Sequence, residues 1–108
     1  MNTWRLTCGL LLVVSGPLLR VASASELEDQ GKALLTRLCA RCHAVERTGA
    51  SPHAGAPPFR TIGDRYDIRE LTERMSDRLI STHPDMPDFQ FSRADAQAVR
   101  AYLYSIQR

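Results

Sequence analysis

The sequence predicts a small all-α domain in which three helices and two long loops need something further to pack against. Three observations carry this expectation. Apolar residues recur at helical spacing in three segments, each opened by a capping residue. No segment shows a sustained strand alternation. Of the two connecting stretches, one is rich in Gly, Pro, Ser and Ala and is long for a small domain unless it is functional or wraps something, and the other holds two prolines.

In the first helical segment Ser25, with Glu28 three residues on, reads as a capping box, followed by Leu27, Gly31, Leu34, Leu35 and Leu38 on one face. Glu26, Glu28 and Asp29 crowd the first turn, where the helix dipole favours negative charge. The second segment starts near Asp67, with Glu70 three residues on, and its stripe is Ile68, Leu71, Met75 and Leu79. The third opens at Ser92 with Asp95 at the box position and carries Ala98, Val99, Tyr102, Leu103 and Ile106. Val45 to Arg65 joins the first two segments, and Ser81 to Phe91, with Pro84, Met86 and Pro87, joins the second to the third. There are no internal repeats and no low-complexity tracts.

The N-terminus reads differently. Arg5 precedes an uncharged, mostly apolar run from Leu6 to Leu19, broken by Gly16 and Pro17. Ala22-Ser23-Ala24 is an A-x-A pattern, so residues 1–24 are expected to be an export signal cleaved after Ala24. The run is shorter than the roughly 20 residues of a membrane-spanning helix, so no stable membrane insertion is expected after cleavage. The domain is then residues 25–108, and the export signal implies a periplasmic location. Arg5 and Arg20 leave with the signal, so the 12 remaining basic residues meet 12 acidic ones and the mature chain is formally neutral. That balance excludes the uncompensated basic face of a nucleic-acid binder. A mature domain of 84 residues is marginal for a core built of side chains alone.

Two cysteines remain, in Cys39-Ala40-Arg41-Cys42-His43. C-x-x-C-H is the attachment motif for c-type haem. Two thiols separated by two residues can form thioethers to the two vinyl groups of one haem, and the following His is held under the ring as proximal iron ligand. A thioredoxin-like redox pair would need a strand before the motif, and here the pair follows a helix. A zinc site would need two more ligands, with His53 or His83 as candidates, at a spacing that matches no zinc pattern. A disulfide across two residues staples almost nothing, since the gain grows with loop length.

The sixth ligand then separates a carrier from an open haem site. Met75, Met86, His53 and His83 are the candidates. Met75 lies on the apolar stripe of the second segment and reads as a core side chain. Met86, in His83-Pro84-Asp85-Met86-Pro87, sits between two prolines whose fixed φ stiffens the loop. His83 remains a competing nitrogen ligand, and His53 reads as solvated.

C-A-R-C-H, then A-P-P-F, then H-P-D-M-P-D-F, then a final helix with A-Y-L, resembles class I cytochrome c, more narrowly the short exported monohaem cytochromes of proteobacteria. The resemblance covers nearly all the mature chain and implies the small all-α cytochrome c fold. It implies one haem c per chain, attached through Cys39 and Cys42, with iron ligated by His43 and Met86. It also implies that the Pro57 carbonyl accepts a hydrogen bond from the proximal imidazole, and that Gly31 and Leu35 cross the C-terminal helix at Tyr102.

The expected function is periplasmic transfer of one electron at a time on a His/Met-ligated haem, without substrate turnover. Redox partner proteins would dock transiently at the exposed haem edge, and Arg37, Arg41 and Arg47 would give that edge a positive docking face. The alternatives are a haem subunit of a periplasmic dehydrogenase, a gas-binding or peroxidatic protein with an open sixth site, and a thiol oxidoreductase.

Overall fold

The computed structural model describes residues 15–79 and 81–108; Arg5, the apolar run at 6–14 and Ile80 lie outside them. Four helical elements follow one another: α1 (Ala24–Leu38), a 3-10 helix (Phe59–Asp64), α2 (Ile68–Asp77) and α3 (Arg93–Ile106). The described residues hold no strand, only an isolated antiparallel bridge between Leu79 and Phe89. The all-α expectation holds, with one element more than the apolar stripes predicted.

Two details of α1 differ from the sequence reading. Its capping box is Ser23 with Glu26, not Ser25 with Glu28: the Ser23 hydroxyl accepts from the Glu26 N–H, and the Glu26 carboxylate accepts from the Ser23 N–H. The same S-x-x-E pattern occurs twice in register, and the upstream copy starts the helix earlier. Leu38, expected on the apolar face, is 55% exposed. The helix closes there, with the Cys39 N–H bonded to the Leu35 carbonyl at 2.8 Å.

The other helices begin where their caps predicted. The Asp67 carboxylate accepts from the Glu70 N–H at 2.8 Å. Ser92 and Asp95 form a full capping box. On α2 the inward positions are Ile68, Thr72 and Met75, spaced four and three apart. Met75 is core, and Leu79 falls beyond the helix end, in the bridge to Phe89. Thr72 is fully buried, so its hydroxyl must be satisfied internally. It donates back to the Ile68 carbonyl at 2.9 Å and accepts from Arg100 Nε at 2.8 Å, which joins α2 to α3.

α1 and α3 make the central packing. Gly31 lies against the α3 backbone: a Cβ there would fall 2.0 Å from the Ala98 carbonyl oxygen and 2.9 Å from the Val99 nitrogen. The closest approach of the two helices is therefore one turn before Tyr102. Leu35 and Val99 are completely buried at this crossing, and Leu103 and Ile106 continue the buried stripe of α3.

Gly31→Ala cannot be absorbed by a flexible side chain, because the obstacle is backbone. It is expected to destabilise the protein by about 2–4 kcal/mol in guanidinium unfolding, whereas Ala33→Gly on the exposed face should cost about 1 kcal/mol. Equal effects of the two substitutions would contradict the crossing.

Candidate functional site

The motif Cys39-Ala40-Arg41-Cys42-His43 continues the winding of α1 by one more turn. The N–H groups of Cys42 (3.1 Å) and His43 (2.9 Å) both converge on the Cys39 carbonyl. Residues three and four apart on such a turn share a face, which brings the two thiols and the imidazole to one side of the chain. Cys39 and Cys42 are both free thiols and half-buried. Burial, with a smaller contribution from Cys42, pushes the Cys39 thiol up to about 11. A redox-active pair needs the opposite shift, because the thiolate is the nucleophile.

His43 is oriented by a single strong contact. Its Nδ1–H donates to the Pro57 carbonyl at 2.8 Å, and Pro57 rather than Pro58 supplies the oxygen. A carbonyl can only accept, so the proton sits on Nδ1 and Nε2 presents a lone pair. The Phe59 ring stacks on the imidazole, with centroids 4.6 Å apart and planes 18° from parallel. Phe59 itself is fixed by its N–H to the Ala44 carbonyl at 3.0 Å.

The loop that provides Pro57 is built by polar contacts that sequence reading missed. The Ser51 hydroxyl accepts from the Ala44 N–H at 3.0 Å, and the His53 N–H donates to the Cys42 carbonyl at 3.1 Å. The 3-10 helix after Pro58 buries Phe59 and Ile62. Gln107 clamps it to the end of α3, donating to the Phe59 carbonyl at 2.8 Å and accepting from the Gly63 N–H at 2.9 Å. The A-P-P-F pattern signalled Pro57 and Phe59. Ser51 and Gln107 left no sequence signal, since each acts on a residue far along the chain.

Met86 lies half-buried on the second loop, in a turn where its N–H donates to the His83 carbonyl at 3.2 Å. His83 is exposed, and its Nδ1 accepts from the Asp85 N–H at 3.2 Å. His53 is not freely solvated: it contacts Asp85 at 3.3 Å, and its ring meets that of His83 edge-on at 5.8 Å. Arg37 and Arg41 are exposed beside the motif, but Arg47 lines a groove with Glu28, Asp29, Lys32 and Glu46. Its charge is set among acids and does not add to one positive face.

Two free thiols and an imidazole with a preset lone pair form a donor set that fits a covalently attached haem. No helix among the described residues is long and apolar enough to cross a membrane. The family model described as Cytochrome c matches residues 28–107. Cytochrome c-552 of Bradyrhizobium diazoefficiens is 35% identical over 77 residues, covering 71% of this chain and 72% of that protein. No solved structure matches the chain.

The residues after the motif are held from α3, where the Tyr102 hydroxyl donates to the Val45 carbonyl at 2.8 Å. Tyr102→Phe leaves a buried acceptor unpaired, and a loss of about 1–2 kcal/mol is expected in thermal or guanidinium unfolding. An unchanged midpoint would show that this contact does not hold the segment.

Proposed function

The chain belongs to the cytochrome c family, electron-transfer proteins with covalently bound haem c, and we propose that it is a periplasmic one-electron carrier with both axial positions filled. Cys39 and Cys42 would hold the haem through two thioethers, and His43 Nε2 and the Met86 sulfur would ligate its iron. The observation that carries this reading is the His43–Pro57 hydrogen bond, because it orients the imidazole and fixes the tautomer an iron ligand needs.

The bound haem supplies the one-electron ferric/ferrous couple, and His/Met ligation raises its potential. The protein's part is to keep the ligands in place in both oxidation states and to keep water out. Pro57 holds the imidazole from one side, and Phe59 lies flat against it. Met86 is favoured over His83 because the His83 Nδ1 lone pair is already occupied by the Asp85 N–H, which leaves the proton on Nε2. Pro84 and Pro87 limit the loop's freedom around the thioether.

With the iron held by both His43 and Met86, small molecules would find no open coordination site, and the protein would carry electrons without substrate turnover. Electrons would enter and leave through the edge near the thioethers, where redox partner proteins dock transiently. The exposed Leu38, Arg37 and Arg41 lie beside that edge. The leader at residues 1–24 and the covalent attachment both support export, after which residues 25–108 form the mature domain.

Protein expressed with the haem-attachment machinery should show a covalent c-type visible spectrum, with the weak red band of methionine-ligated ferric haem. Met86→Ala should abolish that band and open the iron to carbon monoxide, while His83→Ala should leave the band in place. A wild-type spectrum without that band, or rapid carbon monoxide binding by the wild type, would replace this reading with a bis-histidine or open-site protein.

A further inference from the structure

The loop that carries Met86 is well tied at its base. Leu79 and Phe89 exchange both backbone hydrogen bonds, at 2.9 and 3.3 Å, and the Phe91 N–H reaches the Met75 carbonyl at 2.7 Å. The Asp88 carboxylate accepts from the Ser81 N–H at 3.1 Å. At the tip, the hydrogen bonds among the described residues are mostly internal. The His83 N–H goes to the Ser81 hydroxyl, the Asp85 N–H to His83 Nδ1, and the Met86 N–H to the His83 carbonyl. The one that leaves the tip runs between Asp85 and His53, at 3.3 Å.

We propose that His53 is a positioning residue that pins the tip of this loop to the haem-attachment segment and so sets how readily Met86 leaves the iron. The proposal rests on the reading of Met86 as axial ligand. His53 is suited to the role because its own position is determined three times over. Its N–H donates to the Cys42 carbonyl at 3.1 Å, and its carbonyl accepts from the Ala56 N–H at 3.0 Å. Its Nδ1 accepts from the Gly55 N–H at 3.2 Å. That last bond leaves the ring proton on Nε2, aimed at the Asp85 carboxylate. The imidazole is thus a post anchored on one thioether residue, and it holds the residue next to Met86.

The surroundings are arranged around this contact. The His83 ring meets the His53 ring edge-on, with planes 88° apart, and limits its swing. Gly55 lies under both: a Cβ there would come within 3.4 Å of His53 Cε1 and 3.9 Å of His83 Nε2. A half-exposed contact of this kind adds little to global stability. Its effect falls on local opening of the tip, which makes no other hydrogen bond to the rest of the protein among the described residues.

Cyanide reaches the iron only when Met86 has left it, so its binding rate to the ferric holoprotein reads the opening of the tip. His53→Phe keeps a ring but removes the donor, and His53→Gln restores both a donor for Asp85 and an acceptor for Gly55. Relative to wild type, His53→Phe should bind cyanide about three to ten times faster, the factor expected for one lost hydrogen bond, with the guanidinium midpoint little changed. His53→Gln should stay close to wild type. Asp85→Ala should show the same acceleration, and the double variant no more than either single one. A wild-type methionine band together with an unchanged rate in His53→Phe, or with additive effects in the double variant, overturns this proposal alone. A wild-type spectrum lacking that band overturns the axial reading, and this proposal falls with it.

Discussion

The backbone-to-backbone approach of α1 and α3 at Gly31 is the contact on which the site depends. With no Cβ at residue 31, the Ala98 carbonyl and Val99 nitrogen lie closer than any side chain would allow. That closeness lets Leu35 and Val99 bury completely on either side. It also fixes the line along which α1 leaves the crossing, and α1 runs straight into the turn of Cys39, Cys42 and His43. The position of the two thiols is therefore set two helical turns upstream of them. α3 then holds the far side of the same motif, through the Tyr102 hydroxyl on the Val45 carbonyl.

From this frame the segment between α1 and α2 is organised by backbone polarity. A loop of this length carries many N–H and C=O groups that need partners once they are covered. Several are met within the motif's own neighbourhood: the Ala44 N–H by Ser51, the Ala44 carbonyl by Phe59, the Cys42 carbonyl by His53. The Pro57 carbonyl is met by His43 itself. The hydrogen bonds that satisfy the loop are thus the same ones that aim the imidazole. Packing and chemistry are coupled here, because moving the loop would leave its own carbonyl unpaired as well as freeing the ring.

The two loops differ in how firmly they are held. The loop with Pro57 contains a 3-10 helix, buries Phe59 and Ile62, and is clamped by Gln107 to α3. The loop with Met86 is fastened at its neck by one bridge and by Asp88, and its tip makes mostly internal hydrogen bonds. His43 is thus built into the body of the fold, whereas Met86 lies on a segment able to open locally.

Helix α3, the existence of α1 and α2, and the chemistry of Cys39, Cys42 and His43 were legible in the sequence because each rests on local information. A cap, an apolar period or a three-residue spacing is complete within a few neighbouring residues. Pro57 and Met86 were legible as candidates through the resemblance of A-P-P-F and H-P-D-M-P to a known family. The 3-10 helix at Phe59–Asp64 was not, because its six residues offer only two apolar positions, Phe59 and Ile62, too few to show a period, and it is clamped by the distant Gln107. The cap that α1 takes in the full chain was hidden by two S-x-x-E patterns two residues apart, between which local rules do not choose. His53 read as a solvated loop residue because its partners, Cys42 and Asp85, are 11 and 32 positions away. The sequence by itself determined the local elements and the reactive groups. Only the tertiary structure decided which carbonyl orients His43, where the two helices touch, and what holds the tip beside Met86, since each of these is a contact between residues far apart along the chain.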